Sequence, residues 1–377
     1  MIKAAMITPN MTLGGAERWI VDLVKHTDPM RVIWTGVAVS GYGGADKRLT
    51  SEIAPFVKLY TTKADGKKRP PHALPFCYDD FTLVKARNFR GPIAAAVEGA
   101  DVIVTWGSPK MKHWFKDIHV PRVLCSHSTL KESNNWDIQG ITHLAAVSRA
   151  AMGYFVGRKG FDDMPRHILY NGADPKRVIS NGEARYRVRA MWGAEDKNII
   201  VGYIGRQTSE KRPYAAAEAV KELGKGFIAV YYGWDKTGRA SDPELIDYCK
   251  RNIQGRSRFF PPTDNVGDVL SAIDVFMLAS EREAFSLGLI EAWLAGKPVV
   301  ATPVGSVPEL EDKYGQLVFR VPRDPTGKDL AEAVRTALED KDGIVKRAQE
   351  VASKEFTVQA MARRWEDYLE WVVRPKV

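Results

Sequence analysis

Short apolar runs alternate with helix-like segments along most of the chain. Runs that are apolar on both faces are typical of parallel strands covered by helices. They predict strands at residues 1–7, 32–39, 101–106, 122–125, 143–147, 199–204, 227–232, 275–278 and 298–302. Helical patterns lie between them, as at 215–223 and 287–294. This alternation predicts an α/β protein with two doubly wound, Rossmann-like domains.

The strand and helix pattern is interrupted between Gly172 and Asp196, where Pro175 and Gly182 occur. A chain of 377 residues is too long for one ordinary hydrophobic core, so a domain boundary is expected there. We predict a first domain, a second domain and a final amphipathic helix that crosses back to the first, at residues 1–180, 181–355 and 356–377.

The composition is typical of a soluble globular protein, with 45% hydrophobic and 27% charged residues. No stretch approaches the roughly 20 apolar residues that span a bilayer. The first apolar run reaches Pro9 too soon for a signal peptide. Cys77, Cys125 and Cys249 are far apart and lack the spacing of a metal site or disulfide framework. These features predict a cytoplasmic protein.

The net charge of +9 is concentrated in the amino-terminal half. Residues 1–174 contain 23 Lys and Arg against 16 Asp and Glu, whereas the remainder contains 32 against 30. Lys67, Lys68 and Arg69 lie in a segment, 61–75, that is predicted to be an exposed loop. The excess could attract nucleic acid, anionic lipid or a phosphorylated substrate, or could serve only solubility.

Two adjacent glycines, Gly14 and Gly15, follow the first predicted strand. They would let the backbone pass close to a ligand, and the next helix would present N–H groups to an anion. The segment has neither the Gly-x-Gly-x-x-Gly fingerprint nor the Gly-Lys-Ser/Thr of a P-loop. A tight turn without a ligand is the alternative.

Gly205, Arg206 and Lys211 follow the first strand of the second half. Ligands of open α/β sheets bind at the carboxyl ends of strands. Arg offers a planar fork and Lys a compact charge, so both could reach a diphosphate. The alternative is two solvated cations on a loop.

Two carboxylates, Glu283 and Glu291, flank a predicted helix start near Ser286. A helix start offers backbone N–H groups and a positive dipole end to an anion between the acids. One acid could bind sugar hydroxyls and the other ribose hydroxyls. An ordinary amphipathic helix with two surface acids is the alternative.

His127 follows the predicted strand at 122–125 of the first domain. Asn171 and Gly172 lie near the end of that domain. A single histidine is often structural, but the carboxyl end of a strand favours a role in the site. Asn171 and Gly172 could form only a turn.

Together these segments resemble the retaining glycosyltransferases of family GT4, which have the GT-B fold of two Rossmann-like domains facing each other across a cleft. The resemblance covers nearly the whole chain. It is carried by residues 14–18, His127, 171–174, Gly205, Arg206, Lys211, 283–291, 305–309 and Gly315. The chain departs from the family at two points, with Gln207 in place of Leu and Arg212 in place of Gly.

The resemblance implies that the second domain binds the donor and the first the acceptor. Arg206 and Lys211 would neutralise the leaving diphosphate. Glu283 would bind the donor sugar and Glu291 the ribose.

Further contacts are implied by the resemblance as well. The backbones of Phe285, Ser286 and Leu287 would lie near the phosphates. Gly14 and Gly15 would approach the diphosphate, and His127 would lie beside the reacting sugar.

The implied activity is transfer of a hexose-type sugar, with retention of its anomeric configuration, from a UDP- or GDP-linked donor to a saccharide or lipid-linked acceptor. Such a reaction serves polysaccharide biosynthesis. The two cations and the helix start would stabilise the leaving group, so no metal is expected to be required. We predict no nucleic-acid partner, but contact with an anionic membrane. The oligomeric state stays open.

Three other functions fit parts of the sequence. A sugar-nucleotide epimerase of the same fold would convert the donor without an acceptor. A nicotinamide-dependent dehydrogenase is suggested only by the doubly wound sheets, and the missing glycine fingerprint argues against it. A non-catalytic binding protein would hold the donor without turnover.

Overall fold

The computed structural model describes residues 1–12, 14–40, 44–62, 77, 79–84, 90–106, 118–129, 140–158, 160–180, 182–234 and 242–374. Contacts divide the chain into two compact units, which are Met1–Gly172 with Val358–Val377 and Ala173–Thr357. The first boundary lies after Gly172 instead of after residue 180. The reason is a parallel backbone bridge between Ala173 and Thr357, with the Ala173 amide donating to Phe356 O at 2.9 Å.

The first unit contains a parallel sheet with strand order β4-β3-β2-β1-β5-β6-β7-β8. Its strands are β1 (Ile2–Thr8), β2 (Val32–Val39), β3 (Leu59–Thr62), β4 (Thr82–Val84), β5 (Val102–Trp106), β6 (Arg122–Ser126), β7 (His143–Ala146) and β8 (Arg166–Ile168). Its first helices are α1 (Gly15–His26), α2 (Lys47–Ile53), α3 (Arg90–Val97) and α4 (Arg149–Met152). The strand order reverses between β1 and β5.

The second unit contains a parallel sheet with strand order β11-β10-β9-β12-β13-β14. Its strands are β9 (Ile199–Ile204), β10 (Phe227–Tyr232), β11 (Ser257–Phe260), β12 (Val275–Leu278), β13 (Val299–Ala301) and β14 (Phe319–Arg320). This is the strand order of a dinucleotide-binding Rossmann sheet, in which ligands bind where the order reverses. The reversal lies between β9 and β12.

The helices of the second unit begin directly after the boundary. They are α5 (Pro175–Val178), α6 (Ala184–Met191), α7 (Tyr214–Leu223), α8 (Pro243–Asn252), α9 (Val266–Ala272), α10 (Leu287–Leu294), α11 (Val307–Tyr314), α12 (Gly327–Glu339) and α13 (Ile344–Glu355). A single 3-10 turn, Ser209–Lys211, precedes α7. The apolar faces of α7 and α12 pack on the sheet with residues such as Val220 and Leu330, both fully buried.

The last helix, α14 (Val358–Val373), belongs to the first unit. Its apolar face brings Trp365 to within 5.3 Å of Trp19 of α1, measured between ring centroids. Glu366 of the same helix is also buried and pairs with Arg31 at 2.9 Å. Burial of large aromatic surface together with this ion pair fixes the helix on its unit.

The strands predicted from long apolar runs are confirmed, with bounds that differ by a residue at some ends. The loop predicted at 61–75 needs a correction at its start. Thr61 is fully buried in β3, because the strand extends through Thr62 beside β2 and β4. Residues 63–75, including Lys67, Lys68 and Arg69, lie outside the described residues.

Candidate functional site

The turn after β9 carries Gly205 and Arg206 at the carboxyl edge of the second sheet. The Gly205 amide donates to Tyr232 O of the neighbouring β10 at 3.0 Å. Gly233, with φ +108°, follows β10 so closely that a Cβ on it would lie 2.2 Å from Gly205 O. Only glycine satisfies both the conformation and the space at position 233. The Gly205 turn is therefore held against the end of β10.

Gln207, one of the two departures from the family pattern, supports the same turn. Its side chain is fully buried, and Nε2 donates to Gly205 O at 3.2 Å and to Tyr232 O at 3.3 Å. The Tyr203 hydroxyl donates to Arg206 O at 2.7 Å. Hydrogen bonds from two buried side chains thus fix the backbone on both sides of Arg206.

Lys211 and Glu283 form an ion pair at the point where β9 and β12 are neighbours. Lys211 Nζ lies 2.8 Å from Glu283 Oε1, and the two side chains are 18% and 13% exposed. The Ser280 hydroxyl donates to the same Oε1 at 2.9 Å. The described structure therefore joins the cation of one sequence motif to the acid of another.

Gly305 fixes the backbone on the other side of Glu283. It has φ +63°, and a Cβ on it would lie 2.8 Å from both Glu283 Cβ and Glu283 O. The turn that precedes α11 is thus packed directly against Glu283. This contact gives a physical reason for the glycine that the family resemblance included.

Arg206 pairs with Glu210 at 3.2 Å, and more than half of the Arg206 side chain is exposed. Burial raises the pKa of Glu210, but hydrogen bonds from its own backbone and from Thr208 and the charges of Arg206 and Lys211 together lower it. Burial raises the pKa of Tyr203 well above its usual value, and the charge of Glu283 adds to this. The phenol therefore stays a neutral donor.

Helix α10 begins at Leu287 with Ser286 as its N-cap, as predicted from the sequence. The Ser286 hydroxyl accepts a hydrogen bond from Leu289 N at 3.3 Å. Phe285 is buried, and its ring centroid lies 6.0 Å from that of Phe356. The Phe285 side chain thus anchors the segment that leads into the helix, and the first amides of α10 lack partners within the helix.

Glu291 lies in the second turn of α10 and pairs with Arg177 of α5 at 3.2 Å. Arg177 lies outside every motif that the sequence predicted for the site. Its only sequence signal is its place in the basic first turn that follows Asp174. Asp174 itself caps α5 by accepting from Lys176 N at 2.9 Å.

In the first unit, Gly14 is the N-cap of α1, which begins at Gly15. A Cβ on Gly14 would lie 2.4 Å from Glu17 Oε2, so the Glu17 carboxylate occupies the space beside this turn. Thr12 Oγ1 lies 3.5 Å from the other Glu17 oxygen. Arg18 pairs with Asp22, and also with Glu52 of α2 at 2.7 Å, and therefore joins the two helices.

His127 lies directly after β6, with its ring centroid 4.4 Å from Trp19 and 5.8 Å from Trp106. Cys125 Sγ lies 3.5 Å from His127 Nε2. Burial lowers the pKa of His127 to about 3, so the ring is neutral near pH 7. Trp106, whose Nε1 donates to Thr8 Oγ1 at 3.0 Å, ends a predicted strand but was not among the residues predicted for the site.

The segment from Asn171 to Gly172 ends the first unit. Asn171 is buried, and the Gly172 amide faces Met361 Sδ of α14 at 3.3 Å. These contacts are consistent with a structural turn. The role of Asn171 in a site stays a prediction.

No group of three or more His, Cys, Asp or Glu residues that could hold a metal occurs among the described residues. An Asp-x-Asp triplet, a pattern rich in the oxygen ligands that divalent cations prefer, is present at Asp340 and Asp342. Both Asp340 oxygens, however, accept amide hydrogens at the start of α13, from Ile344 at 2.8 Å and Val345 at 3.2 Å. Within the same described ranges, no helix is long and apolar enough to cross a membrane.

Residues 198–340, which contain β9 and the Lys211–Glu283 pair, match the family model described as glycosyl transferases group 1. This part of the chain is a group 1 glycosyl transferase domain. The family inferred from the sequence motifs is thereby confirmed for these residues. Arg177 and the first unit lie outside the matched region.

Two curated relatives are similar to parts of this chain. The 2-deoxystreptamine glucosyltransferase of Streptomyces kanamyceticus is 24% identical over 66% of this chain and 64% of its own length. The D-inositol 3-phosphate glycosyltransferase of Rhodococcus opacus (strain B4) is 32% identical over 39% of this chain and 36% of its own. The alignments therefore leave more than a third of each relative uncovered.

Solved structures match the chain over almost its whole length. Anabaena HepE in complex with UDP-glucose has a TM-score of 0.77 at 20% identity, over 98% of this chain and 100% of that one. A glycosyltransferase from Rickettsia africae has a TM-score of 0.77 at 15% identity, over 100% and 99%. At these identities the likeness concerns the fold alone, and it confirms the predicted GT-B fold.

Proposed function

We propose that this protein is a retaining glycosyltransferase that moves a hexose-type sugar from a UDP- or GDP-linked donor to a saccharide or lipid-linked acceptor. The observation that carries the proposal is the Lys211–Glu283 ion pair of 2.8 Å, close along the chain to the start of α10 and inside the matched family region. Relatives named as glucosyltransferase and glycosyltransferase support the same reaction class.

Residues of the second unit would supply the positive charge that stabilises the leaving group. Breaking the bond between sugar and phosphate leaves negative charge on the diphosphate. Lys211, Arg206 and the amides at the start of α10 would stabilise that charge in the transition state. Lys211 and Glu283 form an ion pair in the structure, so the diphosphate would share the Lys211 ammonium with Glu283.

Glu283 would bind hydroxyls of the donor sugar. Its Oε1 accepts from Lys211 and Ser280, and a carboxylate has a second oxygen that can accept from hydroxyl groups. The position of this acid would be fixed by Ser280 on one side and by the close approach of Gly305 on the other. Such preorganisation is what makes a fixed charge effective in catalysis.

Retention would follow from attack on the face that the diphosphate leaves. The leaving phosphate oxygen would take the proton of the acceptor hydroxyl while that hydroxyl bonds to the anomeric carbon. No protein nucleophile is needed in this scheme. We propose that no divalent metal is required either, because two cations and a helix start already supply positive charge.

The first unit would bind the acceptor. His127 is held neutral between Trp19 and Trp106, so it would act as a polar contact for a sugar hydroxyl and would carry no charge. The net positive charge of the amino-terminal half supports an anionic or lipid-linked acceptor, and with it peripheral contact with an anionic membrane at the inner face.

The test is to incubate the purified protein with UDP-glucose, UDP-N-acetylglucosamine or GDP-mannose, with and without an acceptor panel, and to identify products by mass spectrometry. Transfer should require acceptor, should persist in EDTA, and should give a product with the donor's anomeric configuration by NMR. Conversion of the donor without acceptor would instead identify an epimerase, and binding without turnover a binding protein.

A further inference from the structure

Glu291 has a cationic partner that none of the sequence motifs contains. Arg177 NH1 lies 3.2 Å from Glu291 Oε1, and the two side chains are 24% and 10% exposed. Arg177 belongs to α5 and Glu291 to α10, so the pair connects two helices of the second unit. An ion pair with so little exposure constrains the carboxylate more than a surface pair does.

The backbone of Arg177 is held in place by a close approach of α9. A Cβ on Gly267 would lie 2.6 Å from Ile179 O, 2.8 Å from Val178 C and 2.9 Å from Arg177 O. Glycine at position 267 therefore lets α9 contact the main chain of α5 directly. Asp174 caps the other end of α5, so the position of Arg177 is fixed from both ends.

We propose that Arg177 is a positioning residue that orients the Glu291 carboxylate toward the ribose hydroxyls of the donor nucleotide. This inference rests on the proposed function. A carboxylate offers about four acceptor sites, so the contact between Arg177 and Oε1 is compatible with hydroxyl donors on the same group. Arg suits this role because its planar guanidinium defines the direction of the carboxylate, whereas the ammonium of Lys does not.

Removal of Arg177 should affect recognition of the ribose of the nucleotide more than recognition of its phosphates. If Arg177 is removed, the Glu291 carboxylate is less well oriented, and its proposed contact with ribose weakens. The diphosphate contacts, made by residues after β9, do not depend on Arg177. Loss of Arg177 should therefore reduce the preference for ribose over dideoxyribose more than it reduces binding of the phosphates.

The experiment measures this preference on the full chain by isothermal titration calorimetry. UDP and GDP are titrated first, and the one that binds more tightly is compared with its 2′,3′-dideoxy form. Hydrogen bonds to a charged group predict roughly tenfold tighter binding of the ribose form or more. We call the ratio of the two dissociation constants the ribose preference.

Four variants separate a positioning role from a structural one. Arg177→Ala and Glu291→Gln should each lower the ribose preference severalfold, and the double variant should lower it no further than Glu291→Gln. Arg177→Lys should keep part of it. The matched control is Arg320→Ala, which removes an arginine from another nearly buried acid, Glu311, and should leave the ribose preference unchanged.

The outcomes distinguish this inference from the proposed function. A wild-type ribose preference in Arg177→Ala, or in Arg177→Lys if the alanine variant does not fold, overturns the role of Arg177 and leaves donor binding intact. Absence of any ribose preference in the wild type does the same. If neither UDP nor GDP binds to the wild-type protein, the proposed function fails together with the inference.

Discussion

Lys211 Nζ lies 2.8 Å from Glu283 Oε1, although the two residues come from segments that follow different strands. The pairing arises because β9 and β12 are neighbours in the sheet and their carboxyl ends meet at one edge. Ser280, two residues after the end of β12, donates to the same carboxylate oxygen. The predicted phosphate-binding cation and the predicted sugar-binding acid thus form one hydrogen-bonded unit.

Replacing either member of this pair should abolish transfer without unfolding the protein. Lys211→Ala removes positive charge at the leaving group, and Glu283→Ala removes the acid proposed to bind the sugar. Loss of one preorganised contact of this kind typically lowers the rate about 100-fold or more. The measurement is the rate of product formation in the presence of donor and acceptor. Circular dichroism checks that the variants are folded.

The control for this pair is Lys197→Ala. Lys197 pairs with Glu195 at 2.7 Å, but both side chains are largely exposed and outside the site. Such an exposed pair contributes little to stability and lies away from the proposed site, so the variant should keep wild-type turnover. Near-normal turnover of Lys211→Ala or Glu283→Ala would contradict the site assignment.

The sequence pattern predicted the long buried strands because apolar runs such as 199–204 and 227–232 are visible without any tertiary information. It missed short edge strands, such as β4 (Thr82–Val84) and β14 (Phe319–Arg320). These have two or three residues and, in part, polar or exposed side chains. Their conformation is set by pairing with a neighbour in the sheet, which a local pattern does not contain.

The same limit applies to the site. Motif positions indicated Lys211, Glu283 and Glu291 because each follows a strand or lies near the start of a helix. Arg177 could not be found this way, since its partner is known only once α5 and α10 are packed together. The boundary error had the same cause, because residues 173–180 join the second unit through the bridge between Ala173 and Thr357.

Ser280→Ala should slow transfer moderately. The variant loses the hydrogen bond of 2.9 Å to Glu283 Oε1, so the acid is less well oriented, but its charge and its contact with Lys211 remain. We expect a loss of roughly tenfold in kcat/KM, and about 1 kcal/mol in the free energy of unfolding. Steady-state kinetics and denaturant unfolding measure the two effects.

Ser271→Ala is the matched control for Ser280→Ala, because Ser271 Oγ also donates a hydrogen bond, in this case to the backbone oxygen of Asp268 at 2.6 Å. It should lose similar stability and keep its kcat/KM. Equal kinetic effects of the two serine variants would argue against a role of Ser280 in positioning Glu283.

Gly305→Ala should damage both stability and transfer. The residue has φ +63°, and the added Cβ would lie 2.8 Å from Glu283 Cβ and O, so Glu283 must shift. A left-handed conformation alone costs a non-glycine residue about 1–2 kcal/mol. Turnover should fall about 100-fold, like that of a variant that lacks the acid.

Gly343→Ala isolates the backbone cost, because Gly343 has φ +64° and no atom within 4 Å of an added Cβ. It should lose the same 1–2 kcal/mol, measured by denaturant unfolding, and retain full turnover. If Gly305→Ala and Gly343→Ala are equally active, contact with Glu283 is not what requires glycine at position 305.

His127 should make the protein less stable at acid pH. Burial lowers its pKa to about 3, whereas an unfolded histidine titrates near 6.5. Above pH 6.5 the ring is neutral in both states and its contribution is constant. As the pH falls from 6.5 toward 3, the unfolded state binds a proton that the folded state does not, so stability falls by up to about 1.4 kcal/mol per pH unit.

The measurement compares the wild type with His127→Gln, which keeps a polar group between Trp19 and Trp106 but does not titrate. Carboxylates contribute the same acid dependence to both proteins, so the difference between their melting temperatures isolates the histidine. The wild type should lose stability relative to the variant as the pH falls from about 7.5 to about 4.5. In the folded wild type, the His127 ring signal in NMR spectra should stay that of the neutral form over this range. Parallel stability curves, or a ring that titrates near pH 6.5, would show that the aromatic residues do not keep His127 neutral.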